Sequence, residues 1–176
     1  MAPILTMAPR TSIMTALLTI GFLGILFGQS DRKTVPEPKF TELSREDSAR
    51  LGRQRAVVAS AAMQRYGTKA LTGTKSDLPV LQRLIDDKVF KKSQTYELQC
   101  LGLAFGDVLT SELPLRWVMV TDEYGTDPTL QFKKTTLQIN ALTMISKRVE
   151  RDGHVDVSEL LRITRERLAR TEPTLR

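Results

Sequence analysis

LPLRWVMVTDEYGTDPTLQF, residues 113–132, is the stretch on which the fold turns. Trp117 and Met119 alternate with Val118 and Val120, so a strand over Leu113 to Thr121 is apolar on both faces. Such a strand belongs in the middle of a sheet rather than at its edge. Asp122-Glu-Tyr-Gly-Thr-Asp-Pro128 is a dense turn signal, rich in residues that cap their own backbone or tolerate tight dihedrals. Leu130 and Phe132 then share one alternation phase, while Leu137 and Ile139 share the opposite one. One continuous strand cannot keep both pairs on the same face, which places a further turn near Lys133 to Thr135. The expectation is a three-stranded antiparallel meander.

Helices flank it on both sides, making the predicted class α+β. Downstream, Asn140 is the expected N-cap of a helix to about Arg151, stopped at Gly153, with Lys147, Arg148 and Arg151 at its negative end. Asp156 and Glu159 form a capping box for a last helix, with Val157, Leu160, Leu161, Thr164 and Leu168 facing inward and a tail at 172–176. Upstream, Thr95 to Thr110 reads as a helix with the stripe Leu98, Leu101, Phe105, Val108 and Leu109. Gly102 and Gly106 inside it each cost about 1 kcal/mol relative to Ala, which implies close approach by a neighbouring element. They follow no phosphate-loop spacing. Ser76 and Asp77 precede Pro79 and start a short helix to Asp87. Ser44 and Asp47 open, and Gly67 closes, a helix over residues 44–66 with a basic polar side.

These segments group as residues 40–75, an N-terminal helix and loop, and 76–171, an α+β domain. Residues 31–39, with Pro36 and Pro38, form a linker. Before it, Thr11 to Ser30 carries no charge for 20 positions. A helix of that length spans about 30 Å, the thickness of a hydrocarbon core. The dense apolar centre, Ile13 to Phe27, is also the length of a signal-peptide core, so residues 1–30 are read as a signal peptide or a membrane anchor. The expected location is the inner membrane, through a single span, or the periplasm, with the cytoplasm as the alternative.

The net charge of +6 is uneven: residues 31–70 contribute +4, 71–143 contribute −1 and 144–176 contribute +2. A basic stretch after an apolar one suits anionic lipid head groups as well as phosphate backbones. No helix-turn-helix, zinc-finger or RNP-like spacing accompanies it, and nucleic acid is not an expected partner. Cys100 is the single cysteine, which excludes an intrachain disulfide; its apolar neighbours mark it as a core residue.

Three blocks, Leu101-Gly-Leu-Ala-Phe-Gly-Asp107, Arg116 through Pro128 and Met144-Ile-Ser-Lys-Arg-Val-Glu150, together resemble an uncharacterised family of small bacterial domains known as a domain of unknown function. The likeness covers residues 80–170. It implies an α+β domain and no activity.

Acid-base chemistry would draw on Asp107, Asp122, Glu123, Asp127, Glu150 or His154. His154 falls in a helix-stop loop, and turn carboxylates ordinarily cap backbone N–H groups. Asp122 to Asp127 lacks the ligand spacing of a calcium loop, and Ser12, Ser44, Ser93 and Ser146 lack a nucleophile elbow. No catalytic residue, metal site or cofactor is assigned. The expected contact surface for a protein partner is Arg116, Trp117, Asp122, Glu123, Tyr124 and Asp127, because aromatic and Arg side chains dominate interface energetics. The expected function is a non-catalytic, membrane-tethered or exported interaction module. A soluble cytoplasmic domain and a hydrolase built on Glu123 and Asp127 are the alternatives.

Overall fold

The decisive hairpin forms with a longer second arm and a tighter turn than its sequence suggests, and its first arm begins at Leu115 instead of Leu113. In this computed structural model, which describes residues 37–68 and 70–171, strand β2 spans Leu115–Asp122 and strand β3 spans Gly125–Phe132. They pair antiparallel from Leu115↔Phe132 to Asp122↔Gly125, leaving a two-residue turn of Glu123 and Tyr124. Thr126, Asp127 and Pro128, expected in the turn, therefore belong to β3. Pro128 lacks an N–H, and a strand tolerates it where an edge is uncovered. That condition is met because the next strand, β4 (Gln138–Ile139), pairs only with Leu130 and Gln131. The link between β3 and β4 turns at Lys133, whose φ is +52°.

The meander thus exists, but the sheet has four strands in the order β1-β2-β3-β4. The extra strand, β1 (Lys39–Thr41), pairs Phe40 with Val120 on the other side of β2 and begins inside the expected linker. Three residues with one apolar side chain carry no alternation to read. The ladder of β2 recruits them, and that is what makes β2 internal.

Helix α1 (Arg45–Tyr66) is fixed at both ends by local chemistry. The Ser44 hydroxyl accepts from the Asp47 N–H at 3.0 Å, and the Asp47 carboxylate accepts from the Ser44 N–H at 3.2 Å. Gly67 closes it at φ +68°, a left-handed conformation that costs glycine nothing. Helix α2 (Leu78–Asp86) follows a 3₁₀ turn over Lys75–Asp77. Asp77 occupies its N-cap position without capping it. The buried carboxylate turns back instead and accepts from the Thr72 and Gly73 N–H groups at 2.9 and 2.7 Å, closing the preceding loop.

Helix α3 (Thr95–Glu112) is buried around most of its circumference, beyond the single stripe expected of it: Cys100, Gly102, Leu103, Ala104 and Gly106 are buried as well. It is the central rod, contacted by α1, α2, β2 and helix α4 (Leu142–Glu150). The expected Asn140 cap is absent; Ala141 holds the N-cap position without a side-chain bond, and packing sets that helix start. At its far end the left-handed residue is Asp152, φ +55°, and the Gly153 N–H donates to the Arg148 carbonyl at 2.8 Å. Helix α5 (Val157–Thr171) is capped by Asp156, which accepts from the Glu159 N–H at 2.9 Å. All five of its expected inward residues are buried.

A single core cluster joins Val58 and Ala62 of α1, Leu81 and Leu84 of α2, Phe105 of α3, Phe132 of the sheet and Leu161 of α5. Among the described residues no helix is long and apolar enough to cross a membrane. The Thr11 to Ser30 segment and the tail at 172–176 lie outside the described residues.

Candidate functional site

The three sequence blocks meet in space. An added Cβ on Gly102 would stand 2.3 Å from the Leu142 carbonyl oxygen and 2.6 Å from that of Ala141; on Gly106 it would stand 2.4 Å from the Trp117 ring. Each glycine is a seat, one for the start of α4 and one for the indole of β2. Close approach, the reason expected for both, is what the structure shows.

Seated there, Trp117 donates its indole N–H to Asp107 Oδ1 at 2.9 Å. The same carboxylate takes both donors of a guanidinium from α1: Arg55 Nε to Oδ2 at 2.6 Å and Nη2 to Oδ1 at 2.7 Å. The hydrogen bonds that Arg55 donates to Asp107 raise the Arg55 pKa against the opposing effect of burial. Bidentate geometry of this kind is the strong form of the ion pair. With three donors on its two oxygens, Asp107 acts as an anchor joining α1, α3 and β2, not as a free base. Beside it lies a cleft of about 360 Å³ lined by Gly52, Ala56, Leu71, Gly73 and Ala104, with Arg55 and Asp107 at its polar end.

The six residues expected to form a partner surface divide into two groups. Arg116 and Trp117 stand at the base of the hairpin. Arg116 binds Glu42 and donates to Gln131 Oε1 at 2.8 Å, linking the segment after β1 to β3; it does not pair with Asp122, which lies six residues along the same strand, roughly 20 Å away. Trp117 is spent on Asp107 and Gly106. At the tip, Asp122 accepts from the Tyr124 N–H at 2.8 Å and the Thr121 and Thr126 hydroxyls bond at 2.9 Å. Gly125 takes the strained dihedral, φ +132°, and spares Glu123 and Tyr124. Tyr124 is 87% exposed, and Glu123 and Asp127 are exposed beside it. Asp127 sits on β3 opposite Val120, while Glu123 is in the turn.

The other candidates lie apart from these two places. Burial raises the pKa of Cys100, a core thiol. His154 is exposed, and Glu150 accepts from the Thr95 hydroxyl at 2.8 Å, tying the end of α4 to the start of α3. Sequence reasoning missed Arg55: it stands 52 positions from Asp107, and only its place among the arginines of α1 hinted at it.

Residues 77–160 match the model of the family described as a domain of unknown function, DUF3806. The resemblance read from the three blocks is correct. No curated protein matches the sequence. Among solved structures, a protein from Bacteroides thetaiotaomicron VPI-5482 is similar in fold, with a TM-score of 0.65 at 16% identity over 73% of this chain. The match spans 47% of that protein, so this chain corresponds to about half of it.

Proposed function

We propose that this chain is a non-catalytic interaction module of the bacterial cell envelope. It is held at the membrane by its Thr11 to Ser30 segment and offers the β2–β3 hairpin to a protein partner. The observation that carries this reading is Tyr124. An aromatic ring 87% exposed at the end of a two-residue turn has no role in the core, and its backbone is already fixed by Asp122 and Gly125. A pre-ordered Tyr loses little entropy on binding, and such residues concentrate interface energy. Glu123 and Asp127 beside it ask for a basic partner surface with a pocket for the ring.

The membrane part of the proposal is supported by the uncharged, apolar 20-residue segment and by the basic residues that follow it. The non-catalytic part is supported by the engagement of Asp107 with three donors and by the exposure of Glu123 and Asp127 on an open hairpin.

Two measurements test it. Fractionation of the full chain is expected to recover it with membranes, and recovery in the soluble cytoplasmic fraction removes the tether. A photo-crosslinking amino acid in place of Tyr124 is expected to give a discrete protein adduct in cells, whereas the same group at Ser158 on α5 gives none. Absence of an adduct at position 124 refutes the hairpin as the contact.

A further inference from the structure

Three shallow depressions on the domain adjoin one another through shared residues, and together they collect positive charge. The first, between β4, α4 and α5, is about 360 Å³ in volume and carries Arg148 and Arg167 among the aliphatic side chains of Leu137, Ile139, Met144 and Ile163. Met144 and Arg148 also line the second, which adds Lys147, Arg151 and Gly153. Gly153 in turn borders the third, where Lys88, Lys91 and Lys92 gather around Asp152.

The result is a band of seven cations drawn from the α2–α3 loop, α4 and its C-cap Arg151, and α5, every one of them exposed. Among the residues lining it the only carboxylate is Asp152, paired with Lys92 at 2.6 Å. The excess of six positive charges on this band equals the net charge of the whole chain, +6, so the rest of the molecule is balanced. Compensation of the α4 dipole accounts for Lys147, Arg148 and Arg151 and does not reach Lys88, Lys91 or Arg167, which stand on other elements. Among the described residues Arg167 donates no side-chain hydrogen bond, and Arg148 donates one, to the Met144 carbonyl at 2.6 Å.

We propose that this band is the face with which the domain rests on an anionic lipid surface. The side chains between the cations decide for lipid over nucleic acid. Leu137, Ile139, Met144 and Ile163 among them are partly exposed apolar side chains, as suits the boundary between head groups and acyl chains. Binding to single strands relies instead on exposed aromatic platforms, and the one aromatic ring in these linings, Phe90, is buried. The inference rests on the reading that the chain works at a membrane and specifies which side of the domain faces it.

The test uses the full chain with vesicles of phosphatidylcholine alone and of phosphatidylcholine mixed with phosphatidylglycerol. Lysine acetylation read by mass spectrometry reports the face, and flotation reports the tether. Acetylation of Lys88, Lys91, Lys92 and Lys147 is expected to slow on the anionic vesicles relative to the neutral ones, while Lys75 and Lys134 do not change. The protection is expected to vanish in roughly 1 M salt, where the Debye length is about 3 Å. It is expected to be lost in Lys147→Glu/Arg148→Glu/Arg151→Glu and kept in Arg53→Glu/Lys75→Glu/Lys134→Glu, which alters net charge equally. Equal acetylation on the two vesicle types in the wild-type chain overturns the proposal, whatever the variants do. So does protection by single-stranded RNA that persists when anionic vesicles are added. A chain that floats with both vesicle types yet shows no lipid-dependent protection keeps its tether and loses the docking face. A chain that fails to float with neutral vesicles but is protected on anionic ones loses the tether and keeps the face.

Discussion

Replacing Gly102 by Ala is expected to unfold the seat of α4, and Gly52→Ala provides its internal control. Both glycines lie inside helices, so each substitution gains about 1 kcal/mol of helix propensity. At Gly52 nothing lies within 4 Å of the new methyl, and the gain should appear in full as a stabilised protein. At Gly102 the methyl would sit 2.3 Å from the Leu142 oxygen and 2.6 Å from the Ala141 oxygen, both backbone atoms, whereas ordinary contact begins near 3.4 Å. Relief requires the start of α4 to retreat by about 1 Å. That movement pulls on Ala141 and Ile145, which are fully buried. Overpacking in well-filled cores costs about 1–3 kcal/mol, and backbone atoms place this case at the upper end. Subtracting the propensity gain leaves Gly102→Ala about 2 kcal/mol less stable than wild type, and about 3 kcal/mol below Gly52→Ala. Urea denaturation of the three proteins followed by circular dichroism measures both differences. If Gly102→Ala matches Gly52→Ala, the close approach of α4 is absent and the fold described around α3 is wrong at that point.

Three further expectations follow from the same packing. Trp117→Phe keeps the ring over Gly106 but removes the indole donor to Asp107; hydrogen bonds to charged groups are worth about 1.5–3 kcal/mol, and partial exposure of Asp107 puts the loss near the lower figure. Denaturant titration checks it, and the effect should disappear when Asp107→Ala, which removes the acceptor, is already present. The Ser44 hydroxyl holds the Asp47 carboxyl below its ordinary pKa, and Arg162 does the same for Glu159, so the stabilisation from both is present above the unfolded carboxylate range and is lost as pH falls through the folded values. Melting temperature should therefore drop on acidification below about pH 4, with a shallower drop in Ser44→Ala. Because burial raises the Cys100 pKa, folding disfavours its thiolate; the thiol should resist alkylation until the protein is denatured, and stability should decline as pH rises above the thiol's unfolded value. Rapid labelling of the native protein would contradict the burial.

What the sequence determined by itself lies within a few residues of its cause. The Ser44–Asp47 capping box, the Gly67 stop and the inward stripe of α5 depend on interactions across one helical turn, which the order of residues specifies directly. The alternation of Trp117, Val118, Met119 and Val120 marked an internal strand, and the phase change between Phe132 and Leu137 marked the turn before β4. Gly102 and Gly106 announced close contacts but not with what. Their partners, Leu142 and Trp117, were decided by packing. The same holds for β1, whose three residues become a strand only because β2 supplies an edge, and for Asn140, passed over as a cap because α4 starts where Gly102 receives it. Arg116 and Trp117 are engaged within the chain for a related reason: at the base of the hairpin they meet Glu42, Gln131, Gly106 and Asp107, which lie elsewhere in the sequence. Charge shows the division most plainly. Segment sums make residues 71–143 nearly neutral, yet Lys88, Lys91 and Lys92 from that segment stand with Lys147, Arg148, Arg151 and Arg167 on one face. A linear window averages over residues that folding separates, and only the tertiary structure brings like charges from three elements onto a common surface.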